Sequence, residues 1–388
     1  MRIEHIETYV LKLPSPRAYL GVHDDGWDPR GSAEYTVRPP WRSLYSGRFE
    51  TTLVSVHTDD GIVGWGEALA PVAPEVPAAI IDRLLAPQLI GQDPTAVRPL
   101  WEKLRGLMRE RGHLVGHQAD ALAALDTALW DIAGQALGRS VSDLLGGRHR
   151  DTVPAYISGL PVPTDHERAQ LAEQWVDRGA TRIKLALGKG VDGDLATFDA
   201  VAEAAPTVGL AIDAHWAYSL PDALRLGAEL DARGALFLEA PLVPEDIDGH
   251  AELGRRVRTP IAVGEAMRNR YEFSEWAVRR SLGLAQPDVA RTGITEAIDI
   301  ATVLSAHHIP TACHHSVGLG VALAAGIHVS AALPHSPFFE YQPDTVGVAQ
   351  SLLRTPMAIG PAGFQVPTGP GLGIDIDIDT VRHLAEEA

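Results

Sequence analysis

Six ionisable residues recur along the second half of the chain at nearly constant intervals. Asp213, Glu239 and Glu265 are 26 residues apart; Asp288 follows after 23, His314 after 26 and Glu340 after another 26. Each lies at the end of a short apolar run: GLAIDAH, ALFLEAP, IAVGEAM, LAQPDVA, IPTACHH and PFFEYQ. Three carboxylates at one register are a ligand set for a hard divalent cation, and all-oxygen donors select Mg²⁺ or Mn²⁺ over Zn²⁺. An aspartate paired with a histidine makes a general base, because the carboxylate fixes one imidazole nitrogen and raises the basicity of the other.

These residues need elements that repeat. The period is too long for a helix face and fits one strand, one helix and two turns. From about Thr152, TVPAYISG and TRIKLALG join the six runs to make eight, with helical stretches such as 166–178 and 221–232 between them. Eight alternating units predict an α/β fold, a closed (β/α) barrel over 126–360 with its active site at the strand C-terminal ends. Residues 1–125 read as an α+β cap. IEHIETYVLKL alternates, and TTLVSVHT and IVGWGEA flank the turn DDG as a hairpin. Asp93-Pro94 reads as a helix start. Leu122, Leu125, Leu129, Ile132 and Ala136 make an apolar stripe on a helix over 118–137 that Gly138 ends. The tail 361–388, with GPGLGIDID, is expected to return to the cap. Residues 20–45 are rich in Gly, Pro and aromatics (Trp27, Tyr35, Trp41, Tyr45) and are expected to form a lid.

The net charge of −17 over 388 residues argues against nucleic acid as a partner. A small anionic substrate would need local cations. The single cysteine, Cys313, excludes an intrachain disulfide and fits a reducing cytoplasm. The N-terminus has no signal-peptide core, and no apolar run approaches the roughly 18–20 residues of a membrane span. His113 and His117 have i,i+4 spacing but lack the glutamate of a zinc-protease motif.

On these motifs the chain resembles the enolase superfamily, in its mandelate racemase and muconate lactonizing enzyme-like branch. The likeness runs from DDGIVGWGE through ALDTALWDIAGQALG, the strand ends and the terminal GPGLGIDID. It implies that Asp213, Glu239 and Glu265 bind Mg²⁺, that Asp288 and His314 form the sixth- and seventh-strand dyad, and that Glu340 hydrogen-bonds the substrate or intermediate. It also implies a homo-oligomer. The shared chemistry is abstraction of a proton next to a carboxylate, with the metal stabilising the resulting enediolate. The fourth-strand motif here reads Glu239-Ala240-Pro241, without the family's second glutamate.

The second strand departs from the racemase pattern of two lysines: Lys184 is kept, but Ala186 replaces the second. That disfavours a two-base racemase. Alternation points His215 into the same face as Asp213, and Asp-x-His resembles acid-sugar dehydratases of the galactonate type. Two histidines can divide the work of removing a proton and protonating a leaving hydroxyl, with either one as base, while Lys184 neutralises the substrate carboxylate or the enediolate. His315 points the other way and reads as structural. The leading reading is a sugar-acid dehydratase giving a 2-keto-3-deoxy acid. The alternatives are a lactone cycloisomerase or epimerase on the same scaffold, and a non-catalytic sugar-acid-binding barrel.

Overall fold

Alternation in the first residues builds a strand, Ile3–Pro14, antiparallel to Arg48–Thr58, which pairs in turn with Val63–Ala68. The latter two are the expected hairpin, with Gly61 at φ 87° in its turn. This structure, a computed structural model, describes residues 1–15, 34–37 and 41–388. The helix His117–Leu137 lies on the sheet and ends at Gly138, which takes the left-handed conformation that favours glycine. Close approach explains Gly66, since a Cβ there would strike the Ala124 carbonyl. The expected boundary at 125/126 falls inside this helix. Asp93 does not start a helix. Its carboxylate accepts the Thr95 N–H in a turn, and the helix begins at Val97. His113 and His117 do not share a helix, because Gly116 at φ 61° separates them and only His117 is helical.

The barrel strands are Thr152–Ser158, Arg182–Ala186, Gly209–Asp213, Leu238–Glu239, Ile261–Val263, Leu284–Ala285 and Phe339–Tyr341. Neighbours pair in parallel, and Phe339–Tyr341 closes the ring against Thr152–Ser158. The seventh position is only two bridges, Ala285 to Thr311 and Asp288 to His314. Pro287 and Pro310 interrupt the ladder there because proline has no N–H to donate.

Strand periodicity fills the barrel in layers. Tyr156, Ala211, Phe237, Ala262, Leu284, Ala312 and Phe338 form an apolar plug. Two residues further along most of these strands comes the next inward layer: Ser158, Lys184, Asp213, Glu239, Gln286, His314 and Glu340. Gly264 holds the corresponding place on the fifth strand. A Cβ there would meet the Gln286 backbone at 2.7 Å, and Glu265 is the acid one residue on.

The tail completes the cap. Gly363–Gln365 pairs with the start of the first barrel strand, the Leu372 N–H donates to Asp131 at 2.8 Å, and Val381 packs into the cluster that contains Tyr9 and Leu11. Buried acids hold cap to barrel. Glu67 accepts the N–H groups of Leu319 (2.6 Å) and Ala322 (2.9 Å), at the start of the helix Gly320–Ala332. Asp126 accepts the Thr295 N–H and hydroxyl at 2.8 and 2.6 Å. Among the described residues no helix is long and apolar enough to cross a membrane.

Candidate active site

The polar layer sits directly above the apolar plug. Asp213 and Glu239 are register partners on neighbouring strands. The Lys184 ammonium lies 2.9 and 3.1 Å from the Glu239 oxygens, 2.9 Å from Glu340 and 3.8 Å from Asp213. Those three acids therefore share one buried lysine. Burial pushes Asp213 and Glu239 up to about 7, against the pull of Lys184. Burial also opposes ionisation of Glu340, but Lys184 and then His314 hold it low.

The expected dyad is formed. His314 Nδ1 lies 2.7 Å from Asp288 Oδ2, and Asp288 caps the helix Val289–Ser305 by accepting the Ala290 N–H. His314 Nε2 lies 2.9 Å from Glu265 and 3.8 Å from Glu340. Burial would lower the His314 pKa, but Glu340, Asp288 and Glu265 hold it well above the ordinary histidine value. Glu265 in turn is held low by His314 against partial desolvation, since its side chain keeps 35% of its surface exposed.

His215 reaches the site by a different route from the one alternation suggests. The strand stops at Asp213, and His215 takes φ 48° in the turn beyond it. Its N–H donates to Asp213 at 3.0 Å, and its Nδ1 sits 3.3 Å from the same oxygen. The ring stacks on Trp41 at 4.3 Å, and the Trp41 indole donates to the Leu187 carbonyl. Burial pushes His215 down to about 4, which leaves it neutral. Of the expected lid, residues 20–33, with Trp27, and 38–40 lie outside the described residues. Tyr45 lines a cavity of about 240 Å³ together with His215, Glu265 and Arg291. Ala186 ends the second strand and brings no titratable group. His315 is buried against Phe339.

Sequence reasoning missed Gln286 and Arg291. The Gln286 amide donates to Glu239 at 2.8 Å from two strands away. Its place two residues after Leu284 in the inward register was the available signal. Gln286 supports Glu239 as a neutral donor, where the family motif would have a second glutamate at Ala240.

Whether the acids suit a cation can be judged from their charges. Asp213, Glu239, Glu265, Asp288 and Glu340 crowd around Lys184 and His314, and the donors of the first three are all oxygen, as Mg²⁺ or Mn²⁺ requires. Among the described residues, the only three such ligand atoms within 4.8 Å of one another are elsewhere, on His5, Glu7 and His57 of the cap sheet. The His5 and His57 rings stack at 4.0 Å and 14°, so their in-plane lone pairs run side by side and do not converge on one ion. The mouth fits a metal better on donor chemistry. There Lys184 and His314 engage the acids that a metal would share.

Residues 167–381 match the family Enolase C-terminal domain-like, and residues 37–146 match Mandelate racemase / muconate lactonizing enzyme, N-terminal domain. The chain is 34% identical to a D-galactarolactone cycloisomerase of Agrobacterium fabrum, over 90% of this chain and 96% of that protein. It is 30% identical to an arabinonate dehydratase of Saccharolobus solfataricus, over 96% of each. A crystal structure of a putative isomerase from Sinorhizobium meliloti superposes with a TM-score of 0.90 at 37% identity, covering 99% of this chain and 98% of that one. The chain belongs to the enolase superfamily and is an enzyme, with the cap and barrel of that family.

Proposed function

We propose that this enzyme carries out β-elimination on a sugar acid: it removes the proton beside the carboxylate and expels the oxygen on the next carbon. The observation that carries this is the 2.7 Å Asp288–His314 contact, which turns Nε2 toward Glu265 and Glu340. Nε2, once the ring has given up its second proton, is the atom that accepts the α-proton, and Asp288 keeps Nδ1 as the donor. Lys184, fixed by Glu239 and Glu340, places positive charge beside the substrate carboxylate. His215, neutral and stacked on Trp41, supplies the second imidazole that shuttles a proton at the leaving oxygen. Asp213, Glu239 and Glu265 would hold Mg²⁺ or Mn²⁺, which when bound supplies the charge that makes the α-proton acidic. Ala186 argues against racemisation between two bases.

Loss of a hydroxyl makes the enzyme a dehydratase that releases a 2-keto-3-deoxy acid. A second reading, favoured by the relative named a D-galactarolactone cycloisomerase, has the ring oxygen of a lactone as leaving group. The same proton transfers serve both. Incubation with a panel of sugar acids and lactones and Mg²⁺ in D₂O, followed by NMR and mass spectrometry, separates them. Dehydration gives a keto acid lighter by one water, and ring opening gives a keto acid of unchanged composition apart from deuterium. Deuterium uptake with inversion and no keto acid would overturn the elimination.

A further inference from the structure

Arg291 stands three residues beyond Asp288, in the first turn of Val289–Ser305, where its N–H donates to the Asp288 carbonyl at 3.0 Å. Its side chain is half-buried on the wall of the 240 Å³ cavity. Among the described residues its guanidinium makes no hydrogen bond or ion pair, and Nε is enclosed with no partner. Other half-buried arginines of this chain are engaged. Arg268 pairs with Asp120, Arg270 with Glu296, and Arg150 donates to the carbonyls of Ser330, Pro334 and Ser336. Asp288 and Glu265, the acids near Arg291, are taken up by His314. Enclosing an unpaired guanidinium is costly, and its planar fork matches a carboxylate in two parallel hydrogen bonds.

The position of this wall matters as much as the charge. The cavity is lined on the cap side by Ser43, Tyr45 and Arg48, whereas Lys184 and His314 do not line it. Arg291 and Arg48 thus present positive charge on a wall that runs from His215 and Glu265 to the cap, on a protein of net charge −17. The volume lies below the roughly 300–1,000 Å³ of drug-sized sites and suits a small polar molecule.

The geometry points to Arg291 as the receptor for a second carboxylate at the cap-side end of the substrate, so that the enzyme acts on a sugar diacid or its monolactone in preference to an aldonic acid. This rests on the sugar-acid reading above. The test is steady-state kinetics on galactarate, glucarate and their lactones against galactonate, arabinonate and xylonate, for the wild type, Arg291→Leu and Arg291→Lys. The expected result is a wild-type preference for diacids. Arg291→Leu should raise KM for the diacids by roughly 100-fold, the scale of losing one buried charge partner. The loss with aldonic acids should be far smaller than with diacids, and Arg291→Lys should recover part of the loss. A wild-type preference for aldonic acids, or equal damage to both classes in Arg291→Leu, overturns the assignment. Thermal stabilisation by galactarate gives a readout free of turnover. If nothing in the panel turns over, yet galactarate stabilises the wild type and not Arg291→Leu, the receptor stands and the elimination reading falls. If galactarate stabilises both equally, the receptor falls.

Discussion

Glu67, Asp126 and Asp131, where the cap meets the barrel and the tail, are as deeply buried as Asp213 and Glu239 at the barrel mouth, and burial lifts all five to about 6 or 7. Their surroundings differ. Asp131 accepts the N–H groups of Trp65 and Leu372, Asp126 meets the N–H and hydroxyl of Thr295, and Glu67 meets two backbone N–H groups and the Thr51 hydroxyl. Each of these acids has its own fixed donors. At the mouth, Asp213, Glu239 and Glu340 share Lys184, and Glu265 and Asp288 share His314. Burial alone therefore does not mark a site. A shortage of positive partners does, because carboxylates that compete for one lysine have capacity left for a ligand.

The contrast can be broken by mutation. The largest effect is expected at the mouth: His314→Asn should lower kcat by about 10⁴-fold and abolish α-proton exchange, at the upper end of what a general base contributes. Glu239→Gln should abolish activity and metal binding with circular dichroism unchanged, and exhaustive EDTA treatment of the wild type should do the same to activity. Activity that survives EDTA would sink the metal assignment. Next comes His215→Asn, which should stop product release while metal binding persists, since Asp213 is untouched. Product release at the wild-type rate would make His215 structural.

Asp126→Asn is the counterpart where cap meets barrel. It leaves one acceptor oxygen where the carboxylate offered two to the Thr295 N–H and hydroxyl, and should cost about 1–3 kcal/mol of stability in denaturant melts with kcat barely changed. A kcat loss comparable to that of His314→Asn would erase the distinction.

The smallest predicted effect concerns His328, in the helix Gly320–Ala332. Its Nδ1 accepts the Ser142 N–H at 3.3 Å, and its Nε2 lies 3.0 Å from the Leu372 carbonyl, a pattern that only the neutral ring satisfies. Burial pushes it down to about 4 from 6.5. The unfolded chain therefore binds a proton between those values that the folded chain refuses. Stability should be full above pH 6.5 and fall as pH drops, by roughly 2 kcal/mol at pH 5. His328→Gln should flatten that part of the profile in thermal melts at pH 7 and pH 5.

The barrel was legible because its period is local. Each strand-helix unit returns the chain to the same end, so Asp213, Glu239, His314 and Glu340 betray their common register in sequence spacing, with Glu265 one residue and Asp288 two residues beyond it. The hairpin at Gly61 and the stop at Gly138 were legible because they depend on backbone chemistry within a few residues. Gln286 was overlooked because its partner, Glu239, is 47 residues away and meets it only after the barrel closes. Arg291 stayed hidden because its meaning lies in the partners it lacks. His215 was placed in the site for the wrong reason, since alternation cannot describe a residue at positive φ beyond the strand's end. Asp93 misled because a proline after an acid suits a turn as well as a helix start.

The join at Asp131 has a consequence for how the chain is made. Leu372, which satisfies one of its oxygens, and Gly371, whose carbonyl accepts the Val141 N–H, leave the ribosome more than 230 residues after the helix they complete. During synthesis the N-terminal sheet and helix must wait with that acid half-satisfied while the whole barrel is translated. At about 5–20 residues per second this delay lasts tens of seconds at the slow end. The first domain to emerge is thus the last to finish, and a nascent chain arrested before residue 371 should present a cap far more open to protease than the released protein.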